Sequence, residues 1–250
     1  AVLSGGLNAA TTGAFLAYGA PFSLIPGRRV VAYGSVDGAG NYEILRSTDI
    51  VVDVPDTAPP RTVLSAGFPA VTVDSTIYVT NASLLGFAAV DDKVSVGDGL
   101  GIGTTQTFYA TDASAFALFT GSFNLVAEGT HTVSYFSVDR VGNAEAVKVQ
   151  AMGVDLTAPV ATLVSSGTLY ALTAEDPVVA GAASGVEGIF YVVDIDPAAC
   201  DSVAPDTAAP RGTCANPDYS EPFALTPGTH TVAFVAIDRV GNEVMFSSFV

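Results

Sequence analysis

Apolar side chains alternate with small or polar ones through three stretches of this chain: VAYGSVD (31–37), HTVSYFSVD (131–139) and HTVAFVAID (230–238). A period of two puts successive side chains on opposite faces, so each stretch predicts a half-buried β-strand. Each runs into Asp-x-x-Gly-Asn and then into a second β-like run, YEILRSTDIVVDV, AEAVKVQAMGVD and EVMFSSFV. The pattern predicts a hairpin. The glycine reaches left-handed backbone without strain, and the aspartate can bond turn amides. Further strands are expected over TQTFYATD (105–112) and SGVEGIFYVVD (184–194). TIYVTNASLLGFAAVDD (76–92) reads as the parallel of TLYALTAEDPVVAGAAS (168–184).

The hairpins form one long repeat. GRRVVAYGSVDGAGN starts at Gly27, GTHTVSYFSVDRVGN at Gly129 and GTHTVAFVAIDRVGN at Gly228, 102 and then 99 residues apart. A fixed period of about 100 residues means tandem modules of the size of an immunoglobulin-like sandwich. The joints also match: DVPDTAPPRTVLSAG (53–67) answers DLTAPVATLVSSG (155–167), and YGAPFSLIPG (18–27) answers YSEPFALTPG (219–228). An extended Asp-x-Thr-Ala-Pro joint is short and stiff, which limits the angles between neighbours.

The succession of Asp-x-Thr-Ala-Pro joint, Ser-Gly-Val strand, Tyr-x-x-Pro-Phe-x-Leu phrase and Gly-x-His hairpin resembles the bacterial immunoglobulin-like repeats of cell-surface and secreted proteins. The resemblance covers nearly the whole chain. It is best in the third copy and departs in the second at VSVGDGLGIGTTQ (94–106). It implies a β-sandwich with a structural, spacing or adhesive role, and no specific ligand. The expected fold is all-β: tandem Greek-key sandwiches, with 1–56 a partial module of C-terminal strands only, 57–157 a full module, and 158–250 a module with a disulfide loop.

The first copy is short. Pro59 lies 70 residues before Gly129 and Pro159 lies 69 before Gly228, whereas 26 residues precede Gly27. Two readings stand side by side. The chain is a fragment of something longer, or it is a filament subunit whose incomplete module accepts a strand from a neighbour. The second would give a homopolymer by β-strand complementation. In that case 1–19 is a candidate donated strand, or a local strand of the first module.

Composition narrows the partners. Apolar residues are 49% of the chain and the net charge is −16; Lys93 and Lys148 are the only lysines and Arg28-Arg29 the only basic pair. Phosphate recognition needs basic patches, so nucleic acid and anionic membrane surfaces are excluded as expected partners. No apolar run reaches the roughly 18 residues of a transmembrane helix. The opening AVLSGGLNAA has no basic n-region, so no intact secretory precursor is expected. Cys200 and Cys214 close a Pro/Asp-rich loop of 15 residues. That predicts a disulfide staple in an oxidising, extracellular compartment, worth on the order of 3 kcal/mol.

No catalytic constellation emerges, and the chain does not read as an enzyme. His131 and His230 hold the same place in the repeat, where the first copy has Arg29, and read as architecture. Asp91-Asp92 and Glu175-Asp176 read as loop charges, since adjacent acids on a strand point to opposite faces. Calcium is the one cofactor in view, because it takes clustered carboxylate and carbonyl oxygens. The candidate ligands are Asp194 and Asp196 before the cysteine loop and Asp139 and Asp155 near the turns and joints, with Asp37, Asp53, Asp56 and Asp238 in similar places. The favoured function is an extracellular structural protein, a filament or stalk subunit. The alternatives are an adhesin gripping a glycan or receptor through loops 93–105 or 200–214, and the accessory spacer region of a secreted enzyme.

Overall fold

A computed structural model describes residues 15–25, 27–52, 56–91 and 104–250. Asp53, Asp92, most of the 93–105 loop and the first part of the 1–19 stretch lie outside the described residues. The described chain is all-β. The single helical element among the described residues is one 3-10 turn, Pro197–Cys200. No helix among the described residues is long and apolar enough to cross a membrane.

The third repeat shows the plan most simply. Strands β11 (Val160–Ser166), β12 (Leu169–Glu175) and β14 (Phe223–Ala224) form one sheet, and β13 (Val186–Val193), β15 (Thr231–Asp238) and β16 (Glu243–Phe249) form the other. Ala161, Leu172, Tyr191, Val232, Phe234 and Ala236 fill the space between them. Along β15, Val232, Phe234, Ala236 and Asp238 are buried, which is the predicted period of two. Burying one such aliphatic or aromatic side chain stabilises the fold by about 1.5–3 kcal/mol.

The second repeat elaborates the same plan. Strands β3 (Arg61–Ala66) and β6 (Leu85–Val90) pair as β11 and β12 do. The facing sheet has the order β4-β5-β10-β9-β7-β8, built from β4 (Ala70–Val73), β5 (Thr76–Val79), β7 (Thr104–Thr111), β8 (Ala117–Leu118), β9 (Gly129–Asp139) and β10 (Lys148–Val154). The pairing corrects one expected correspondence. Ala66↔Leu85 and Ser166↔Leu169 occupy the same rung, so the counterpart of LYALTAED is LGFAAVDD, beginning at Leu85. TIYV is β5, part of an inserted hairpin with no counterpart in the third repeat. It docks parallel to β10, where Gly153 leaves room for the Tyr78 ring; a Cβ there would meet the ring at 2.5 Å. Both segments are short, largely apolar runs, so the sequence pattern did not distinguish the insert from the strand it precedes.

The first repeat is described as a two-stranded hairpin, β1 (Gly27–Tyr33) with β2 (Arg46–Val52), in register from Gly27↔Val52 to Tyr33↔Arg46. Its Tyr33 is 48% exposed, against 9% for Tyr135 and 5% for Phe234 at the same repeat position. All three hairpins turn as predicted: Gly40, Gly142 and Gly241 have φ of 88°, 98° and 91°.

Candidate metal centre

The turn after each long strand is tied by its own aspartate. Asp139 Oδ1 accepts bonds from the backbone amides of Val141, Gly142 and Asn143, and Oδ2 accepts from the Asn143 side-chain amide at 2.7 Å. Asp238 does the same with Val240 and Asn242, and Asp37 with Ala39 and Asn41. The asparagine then reaches further. Asn143 Nδ2 also donates to the carbonyl of Asp56, and Asn242 Nδ2 to the carbonyl of Asp155, each at 3.0 Å. Both acceptors are joint aspartates. The Gly-Asn of the repeat therefore does more than close a turn: it pins the linker that enters the same sandwich.

The same convergence brings three carboxylates together at each joint. Asp56, Asp91 and Asp139 each place an oxygen within 4.8 Å of the others, and so do Asp155, Asp176 and Asp238. In each triad one aspartate comes from the joint, one follows the first-sheet strand β6 or β12, and one ends the long strand β9 or β15. Asp56, Asp91, Asp139, Asp155 and Asp238 are all buried. At the second joint Asp155 Oδ2 accepts from the Ser184 amide at 2.6 Å, and Asp176 Oδ2 from the Gly185 amide. Glu128, from the second repeat, caps the linker by accepting from the Leu156 amide and the Thr157 hydroxyl. Thr130 N donates to Ala180 O, and a Cβ on Gly129 would stand 2.8 Å from the Ala180 methyl, so the two repeats meet closely here.

Crowding shows in the acidities. Burial pushes the Asp176 carboxyl up, and the charges of Asp155, Asp238 and Glu128 add to it against the Gly185 bond. Burial likewise raises Asp238, with Asp155 contributing, against the bonds from Asn242 and Val240. For Asp139 burial acts in the same direction, but the Asn143 side chain and the turn amides outweigh it and hold the carboxyl below its ordinary value. Carboxylate oxygens gathered in this way suit a hard cation, whose charge would offset the crowding.

The four named calcium candidates separate. Asp139 belongs to the first triad and Asp155 to the second. Asp194 instead accepts from His230 Nδ1 at 2.7 Å and from the Thr231 amide, and Asp196 caps the 3-10 turn by accepting from Ala198 N. Neither joins a third acid among the described residues. Asp91 and Asp176, read from sequence as loop charges, are the residues that complete the triads. The usable signal was the strand rule itself: of two adjacent acids at a strand end, one must face inward, and Glu175 is exposed where Asp176 is not.

The histidines form a second repeated device. His131 Nδ1 lies 2.9 Å from Asp112 Oδ2 and its Nε2 2.8 Å from Ala127 O; His230 does the same with Asp194 and Thr226 O. Both partners are acceptors, so the ring serves both as an imidazolium. Arg29 Nε reaches the Ile25 carbonyl, the same four-residue step back. Cys200 and Cys214 are joined in the disulfide the loop predicts. A shallow groove of about 670 Å³ beside that loop is lined by Asp194, Asp196, Thr231, Met245 and Phe246.

No protein-family model matches this chain, and no curated protein does. Among solved structures it is similar to the fibronectin(III)-like modules of Clostridium thermocellum CbhA, at 11% identity and a TM-score of 0.39, over 75% of this chain and 92% of that one. The all-β architecture rests on the strand pairing itself.

Proposed function

We propose that this chain is a structural segment of an extracellular or cell-surface assembly, in which successive sandwiches act as a stiff spacer. The observation that carries the reading is the repeated joint. The Asn143 and Asn242 amides fix the linker carbonyls of Asp56 and Asp155 in the same way, so each linker is held by the sandwich it enters. A freely jointed string of domains needs no such bonds. The disulfide is compatible with an oxidising compartment. The histidines and turn aspartates, which an enzyme would draw on for acid–base chemistry, are occupied in holding strands together. Small-angle scattering of the purified chain tests the reading. A single narrow distribution of maximum dimension is expected, and a broad one typical of flexibly linked beads would sink it.

One observation favours a second reading, self-association through the first repeat. Its strands β1 and β2 have no facing sheet among the described residues, and Tyr33 is exposed where its counterparts Tyr135 and Phe234 are buried. Completion by a strand from a neighbouring copy would cover them. Light scattering across a hundredfold range of concentration decides it: a constant monomer mass rules the reading out, and mass growth abolished by Tyr33→Asp supports it.

A further inference from the structure

We propose that the aspartate triad at each joint is a divalent-cation site, with calcium the ion its oxygens suit. The inference goes beyond the spacer reading and does not depend on it. Three observations carry it. First, three crowded carboxylates call for a compensating positive charge as well as hydrogen bonds, and Asp155, Asp176 and Asp238 accept hydrogen bonds but take no part in the ion pairs among the described residues. Second, buried oxygens at both joints have no hydrogen-bond partner. At the first, Asp56 is 7% exposed and its Oδ2 accepts nothing, although its Oδ1 takes the Ala58 amide. At the second, Ser184 is 2% exposed and its hydroxyl is unpartnered while its amide holds Asp155, and Asp176 Oδ1 is unpartnered too. Third, the triads arise from different chain spacings. Asp56 and Asp91 are 35 residues apart, whereas Asp155 and Asp176 are 21 apart, because the inserted hairpin lies between the first pair. The three acids meet regardless.

The donor set is all oxygen, three carboxylates at each joint. Calcium takes six to eight oxygens in adaptable geometry, whereas magnesium demands a tighter octahedron and keeps its waters. A cation here would tie the linker, the end of the first-sheet strand and the turn of the long strand into one unit, so binding and joint stiffness are coupled.

The test uses the whole chain, stripped with a chelator and titrated calorimetrically with calcium chloride. Two ions per chain are expected. Asp176→Asn and Asp91→Asn should each remove one of them, lowering affinity at that joint at least tenfold, while Asp37→Asn, which belongs to no triad among the described residues, leaves both. Should a variant fail to fold, the unaltered chain still decides: its melting temperature should rise with millimolar calcium and fall back on chelation. No heat of binding together with an unchanged melting temperature overturns the proposal. So does binding of two ions that persists in folded Asp176→Asn and Asp91→Asn chains.

Discussion

Leu85 and Leu169 stand on the same rung of the same strand pair in two neighbouring repeats, yet Leu85 is fully buried and Leu169 is 48% exposed. The difference lies outside both strands. In the second repeat the segment between β3 and β6 grows into the β4–β5 hairpin, and Leu85 packs with Val79 of β5 and Leu125 and bridges to Phe123. In the third repeat a tight turn at Gly167 joins β11 directly to β12, and the extra length is spent between β13 and β14, in the disulfide loop. The two excursions reinforce opposite parts of one scaffold. What does not vary is the joint: the asparagine bond, the carboxylate triad and the histidine clasp recur in both. These features recur where two distant strand ends and a linker must be held together, and sequence between them is free to grow.

The sharpest way to break the comparison is truncation at the shared rung. Leu85→Ala should cost the second repeat about 2–5 kcal/mol, since it empties a sealed core site. Leu169→Ala should cost the third less than about 1 kcal/mol, because half of that side chain already meets water. Hydrogen exchange reads each repeat separately; equal losses would mean the inserted hairpin does not seal the core. Replacing both Cys200 and Cys214 by serine probes the other excursion. The third repeat should lose roughly 3 kcal/mol, with the exchange protection of β9 and β10 unchanged.

The shared joint predicts equal effects instead. Asn143→Ala and Asn242→Ala should each cost about 1–2 kcal/mol, since each removes two side-chain bonds and leaves a buried carbonyl and carboxylate short of a donor. Asn41→Ala in the exposed first hairpin should cost no more than about 0.5 kcal/mol. A marked inequality between Asn143 and Asn242 would show that the two joints are not equivalent.

The smallest effect concerns the histidine clasps. At His230 the Asp194 carboxylate and the Thr226 carbonyl raise the ring's pKa; at His131 burial lowers it, but the Asp112 and Ala127 bonds outweigh that. A raised histidine contributes stability that is fully present below its unfolded value of about 6.5 and is lost as pH rises through the folded value. Asp112 and Asp194 are held down, first by the histidine bond and then by the Thr132 or Thr231 amide. Their contribution is present above about 3.9 and lost as pH falls through the folded value. Both clasps should therefore hold best between about pH 4 and 6.5. Ring titration followed by NMR should give both histidines values above the ordinary one, and His131→Asn with His230→Asn should flatten the decline of stability through neutral pH.

The strands, the repeat, the turn glycines and the cysteine pairing were written in the sequence. Each depends on neighbours within one strand, one turn or one loop, where a period of two or a left-handed glycine is a local rule. The inward alternation of β9 and β15 and the left-handed turns at Gly142 and Gly241 follow directly. Only the tertiary structure decided that β4–β5 is an insert, that Asp194 serves His230, and that Asp91 and Asp176 belong with the joint aspartates. Those contacts join residues 21 to 83 positions apart within one sandwich. Alternation shows which face a carboxylate points to. It does not show which other strand end arrives at that face, because sheet order and register are set by how the whole sandwich closes.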